Sequence, residues 1–110
     1  MALPEKVVIG PLTYRITDDE AEHLRQTVAD DGDSSWGMIK YGKGLILLNP
    51  EQDASHTRLA LFHECLHGCW HLTDFGHQED EDPIRRIAGP LLDMLRRNPD
   101  LVAYLLAEDV

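Results

Sequence analysis

Apolar residues in the first half of the chain fall in short runs with a two-residue rhythm; in the second half they fall in helical stripes. Val7-Val8-Ile9 is a β-rich run ended by Gly10-Pro11, and Leu12 to Ile16 alternates apolar with polar residues. Together they predict a hairpin. Asp18 to Ala29 is open between helix and coil. If helical, it is capped by Thr17 or Asp18 and carries Ala21, Leu24 and Val28 on one face. Asp30 to Ser35 has the composition of a turn or loop. Trp36 to Lys40 and Leu45 to Leu48 flank Tyr41-Gly42-Lys43-Gly44, whose two glycines can take the positive φ angles of a tight turn, so a second hairpin is expected. Asn49-Pro50 ends its second strand.

From about Ser55 to Trp70 the spacing predicts a helix, with Leu59, Phe62, Leu66 and Cys69 on one stripe. A second helix opens near Asp82-Pro83, since a proline in the first turn gives up no hydrogen bond. Its stripe is Ile84, Ile87, Ala88, Leu91 and Leu95. Pro90 falls inside it, cannot donate to the Arg86 carbonyl, and predicts a kink. Asn98-Pro99-Asp100 stops that helix and caps a third, Leu101 to about Ala107. No internal repeat and no long linker divides the chain, so residues 1–110 are expected to form one domain.

Charge changes this picture by exclusion. Twenty acidic and ten basic side chains give a net charge of −10, which argues against nucleic acid as the main partner, because phosphate binding needs a cationic surface. Arg85, Arg86, Arg96 and Arg97 recur at helical spacing and read as a solvated face. The two cysteines, Cys65 and Cys69, are four apart on one expected helix. Neighbours so placed rarely meet disulfide geometry, and reduced thiols suit a cytoplasmic protein. No signal peptide and no membrane-spanning run is legible, so no membrane partner is expected.

The chemistry concentrates in His63-Glu64-Cys65-Leu66-His67. Histidines at i and i+4 stack on one face of a helix, one turn apart. Two nitrogens so placed can hold one Zn²⁺ at about 2.0–2.1 Å each. Glu64 projects about 100° round the axis from His63, beside the metal, where a general base for its water belongs. Catalytic zinc needs a third protein ligand and an open position. An extended three-histidine motif would place glycine and histidine where Trp70 and Thr73 stand, so it is excluded. His71 lies about 12 Å along the axis from His63, too far to share one ion on an unbroken helix. His77 is open as a ligand. The acidic run Glu79, Asp80, Glu81 and Asp82 offers better ones, although such a run is also what a solvated helix N-terminus carries. A thiolate site from Cys65 and Cys69 with His67 and His71 lacks the usual ligand spacing.

These residues resemble the ImmA/IrrE-like group of small metallopeptidases, found in bacteria, phages and mobile elements. The likeness covers roughly Trp36 to Leu95. It takes in a hairpin ending in Leu45-Ile46-Leu47-Leu48, the metal helix from Thr57 to Gly68, and a following helix where Glu81, Ile84, Ile87 and Ala88 match the group's spacing. The resemblance implies a zincin-like α+β fold: a small N-terminal antiparallel sheet packed on the metal-bearing helix, followed by two C-terminal helices. It also implies Glu81 as third zinc ligand. Pro83 sets Glu81 at the very start of its helix, and Glu79 stays open as the alternative. No sensor domain is legible beside this core, so the transcriptional role of some relatives is not carried over, and the short form resembles phage or prophage members.

The expectation is therefore a zinc-dependent metallohydrolase, a cytoplasmic metallopeptidase acting on a protein or peptide. His63, His67 and Glu81 hold the metal. Glu64 takes a proton from its water and returns it to the leaving amine. The peptide lies along the exposed edge of the Leu45–Leu48 strand. Tyr41, His71 and His77 are open as oxyanion partners, and Trp36 and Trp70 are read as core or rim anchors. The alternative is a non-catalytic, zinc-stabilised protein-binding module of phage or mobile-element origin, in which Glu64 is dispensable.

Overall fold

The computed structural model describes residues 2–29, 36–73 and 83–107. The chain forms β1 (Lys6–Ile9), β2 (Leu12–Thr17), α1 (Glu20–Ala29), β3 (Gly37–Lys40), a 3₁₀ turn (Tyr41–Lys43), β4 (Leu45–Leu48), α2 (Ala54–Thr73), α3 (Pro83–Arg97) and α4 (Pro99–Leu106). The fold is α+β.

Both expected hairpins form. Ile9 pairs with Leu12 across Gly10-Pro11, and Gly10 takes a φ of 59°, the left-handed conformation that mirror-image hairpin turns require. In the β3–β4 turn one glycine carries the requirement. Gly44 has a φ of 58°, and a Cβ on it would lie 2.8 Å from the Thr13 carbonyl oxygen, whereas one on Gly42 would meet open space.

The sheet itself differs from the antiparallel one expected. Its order is β1-β2-β4-β3, and β2 and β4 run parallel, with Ile16 opposite Ile46. The cause is the crossover. Parallel neighbours need a connection of a dozen or more residues, and α1 with the segment after it provides one between β2 and β3. The β3–β4 hairpin then folds its second strand inward. Leu45, Ile46, Leu47 and Leu48 are consequently all buried, as a strand covered on both faces must be.

At α1 the cap is one residue later than expected. Asp19 Oδ1 accepts the Ala21 and Glu22 N–H groups at 2.8 and 3.1 Å, while Thr17 Oγ1 accepts the Asp19 N–H. The expected apolar face is also displaced: Leu24 is 62% exposed, and His23 is buried instead.

Asp53 caps the start of α2: its Oδ1 accepts the His56 N–H at 2.8 Å. The buried positions of α2 are Ala60, Leu61, Glu64, Cys65, Gly68 and Cys69; of the expected Leu59, Phe62, Leu66, Cys69 stripe, Cys69 alone is among them. Leu59 is 59% exposed, and Phe62 and Leu66 are half-buried. Close approach to the sheet explains the shift. A Cβ on Gly68 would stand 2.7 Å from Ile9 Cδ1 and 3.5 Å from Ile39 Cδ1, so this face selects small side chains that hydropathy underweights.

The core joins Val7, Ile9, Tyr14, Ile16, Ile46 and Leu48 of the sheet to Leu61, Cys65 and Cys69 of α2, with Met94, Leu101 and Tyr104 from α3 and α4. α3 runs through Pro90 as one helix. Asn98 stands at the N-cap of α4 without capping it through its side chain. Its amide instead pairs with β1: Oδ1 accepts the Val8 N–H at 2.8 Å, and Nδ2 donates to the Val8 and Met94 carbonyls at 2.8 and 2.7 Å. One side chain thus completes the outer edge of the first strand. Among the described residues no helix is long and apolar enough to cross a membrane.

Candidate metal centre

α2 carries two faces with different chemistry. His63 and His67 project to solvent. Their Nε2 atoms are 3.1 Å apart, with ring planes at 77° and centroids at 4.7 Å. Two nitrogens bound at about 2.0–2.1 Å to one tetrahedral ion stand about 3.3–3.4 Å apart, so the helix alone brings this pair to near-ligating separation. The same distance lets one ring donate to the other.

Glu64 projects from the adjoining side of the helix, toward the start of β3, and is only 7% exposed. Its Cγ would lie 3.5 Å from a Cβ on Gly37, and that Cβ would also crowd the Leu47 carbonyl oxygen at 3.1 Å. A glycine therefore lets β3 pass close over the carboxylate. Burial pushes the Glu64 carboxyl above its ordinary range, and the His63 and His67 rings pull it partly back. A carboxylate raised in this way is a better proton acceptor than an exposed one.

Farther along α2, His71 stacks on Tyr41, with centroids 4.2 Å apart and planes at 21°. The Tyr41 hydroxyl is raised by burial and then by the negative charge of Glu64. Two of the three expected oxyanion partners are thus paired with each other at the end of β3. His77, the third, lies outside the described residues, as do Glu79, Asp80, Glu81 and Asp82. Among the described residues no three His, Cys, Asp or Glu side chains gather to hold an ion.

The thiols take no part. Cys65 and Cys69 are free and buried on the face opposite the exposed imidazoles. Burial pushes Cys65 up to about 12 and Cys69 to about 11, and Cys69 Sγ donates to Met94 Sδ at 3.8 Å. They behave as small core residues.

Trp36 and Trp70, at 52% and 39% exposed, are rim residues. The structure adds a feature that sequence reasoning missed. Trp36, Gly37, Leu59, Ala60, His63 and Glu64 line a cleft of about 340 Å³ beside the middle of α2. Gly37, directly after a tryptophan at a strand start, was the available signal, because an isolated glycine in a strand pattern marks a close approach.

Compared with known protein families, curated proteins and solved structures, the chain matches none. The functional reading therefore stands on the site.

Proposed function

We propose that the chain is a zinc-dependent metallohydrolase, a metallopeptidase of the ImmA/IrrE-like kind, with His63, His67 and Glu81 as ligands and Glu64 as general base. The observation that supports this is the 3.1 Å pair of Nε2 atoms beside a buried carboxyl that is raised by desolvation. Chance helical spacing accounts for the first and not for the second. A zinc ion held there would act as a Lewis acid, polarising a carbonyl and lowering the pKa of water.

The chain's own residues do the rest. Glu64 accepts a proton on its carboxylate from the attacking water and passes it to the leaving nitrogen. The peptide adds to the sheet beside β3 and not along the Leu45–Leu48 strand, because β4 is paired on both sides and β3 is an edge strand among the described residues. The same proposal locates the protein in the cytoplasm, on the ground that two cysteines of one helix stay as thiols.

Metal analysis of the purified protein tests the first half. One zinc per chain is expected, lost in Glu81→Gln; loss in Glu79→Gln instead would move the third ligand. Absence of stoichiometric zinc ends the proposal. Glu64→Gln tests the second half: if cleavage survives with zinc still bound, Glu64 is not the base. If zinc binds and no peptide is cut, the non-catalytic module becomes the better reading.

A further inference from the structure

The cleft beside Glu64 has a composition of its own. Its reactive groups, His63 and Glu64, stand with four residues that offer no charge: Trp36, Gly37, Leu59 and Ala60. Ala60 is nearly buried at 5% exposure, whereas Leu59 and Trp36 leave 59% and 52% of their surface open. Ligand sites of this size combine an apolar lining with a few placed polar groups.

The aromatic wall is fixed in place. The Trp36 carbonyl accepts the Asn49 N–H at 2.9 Å and Gln52 Nε2 at 2.9 Å. Its ring meets His56 edge-on, with centroids 4.5 Å apart. His56 is held in turn by Asp53, the residue that caps α2, with Nδ1 2.7 Å from Oδ1. The start of the metal helix thus sets the position of the wall. An acidic group entering the cleft would meet Glu64 and a chain of net charge −10, with His63 as the one basic group in the lining among the described residues.

We infer that this cleft is the side-chain subsite of the proposed peptidase. It selects an apolar side chain of leucine to phenylalanine size beside the bond cleaved, and Trp36 determines the preference. The inference rests on the metallohydrolase reading of His63, Glu64 and His67.

The test uses the zinc-loaded protein and the hydroxamates of phenylalanine, leucine, lysine and glutamate, with affinities measured by calorimetry. Phenylalanine and leucine hydroxamates are expected to bind at least about tenfold more tightly than the other two, a difference typical of a filled apolar pocket. Trp36→Ala is expected to erase that preference with zinc stoichiometry unchanged. Leu59→Glu, at an exposed position that the core does not need, is expected to shift it toward lysine. Equal affinities for all four ligands, or an intact preference in Trp36→Ala, overturns the subsite and leaves the metal reading standing. A parallel arm needs no metal. N-acetyl-phenylalaninamide at millimolar concentration is expected to shift the Trp36 indole N–H resonance, and N-acetyl-glutamic acid amide is not. If no zinc is taken up, the metal reading fails and the indole titration alone decides. An unmoved indole then overturns the apolar subsite too.

Discussion

The two faces of α2 are built under opposite constraints. The inner face meets the sheet at Gly68 and Cys69 so closely that a Cβ on Gly68 would crowd Ile9. The outer face holds His63 and His67 in solvent, with their Nε2 atoms 3.1 Å apart. Packing fixes the helix through the first face, and that fixed helix presents the second. Glu64 lies between them, polar like the outer face and buried like the inner one. Precision at the reactive face is thus supplied from behind, as a site built on a rigid element requires.

The largest expected effect falls on that boundary residue. Glu64→Gln should lower turnover by about 10²–10⁴-fold, the usual worth of a general base, with zinc retained. Its thermal stability in the metal-free protein should hold or rise, because burial disfavours the charged carboxylate it replaces. Rates on a cleaved peptide and a melting curve check both halves, and a fall in stability would place Glu64 in the supporting face instead.

Gly68→Leu attacks the inner face alone. Overpacking against Ile9 should cost about 1–3 kcal/mol in urea denaturation. Gly68→Ala should cost less than Gly68→Leu, because the end of the Ile9 side chain is what a single Cβ has to displace and alanine is the better helix former.

The thiols give the same face a pH signature. Both are raised on folding, Cys65 to about 12 and Cys69 to about 11, so from about pH 9 up to those values the unfolded chain binds fewer protons than the folded one. Stability is full below that window and falls as the pH climbs through it, with a limiting slope of about 1.4 kcal/mol per pH unit for each thiol. The Cys65→Ala, Cys69→Ala double variant should show a shallower alkaline decline than the parent, whatever its absolute stability.

The smallest effect belongs to the outer face. His67→Ala in metal-free protein should change stability by no more than about 0.5 kcal/mol, as exposed substitutions do, yet remove the rise in melting temperature that added zinc produces. A large loss without metal would show that the imidazole pair is itself structural.

The same contrast marks what the sequence disclosed. The hairpins and the helices α2, α3 and α4 were readable because turn residues and apolar spacing are local signals, whereas α1, with no clear apolar stripe, stays open between helix and coil in the sequence. His63, Glu64 and His67 were readable because helical geometry converts spacing into position. The phase of α2 was not. Its buried stripe uses glycine, cysteine, alanine and a carboxylate, which a hydropathy pattern discounts in favour of Leu59, half of which lies in solvent. The place of β4 was legible only in part: four apolar residues in a row point to a strand covered on both faces, and the parallel pairing depends on a crossover that no local signal encodes. The cleft went unseen because Trp36 and Ala60 are twenty-four positions apart and meet only once β3 lies along α2.

Asn98 has a bearing on the order of folding. Its amide joins Val8 to the α3–α4 corner across a separation of ninety residues, and Arg97 adds a bond to the Gly10 carbonyl from the same corner. Contacts this far apart in the chain are late and slow to form, because loop closure must precede them. The first hairpin and the last helix corner therefore act as a clasp. It ties together two stretches near opposite ends of the sequence, with most of the sheet and all of α2 lying between them in the chain.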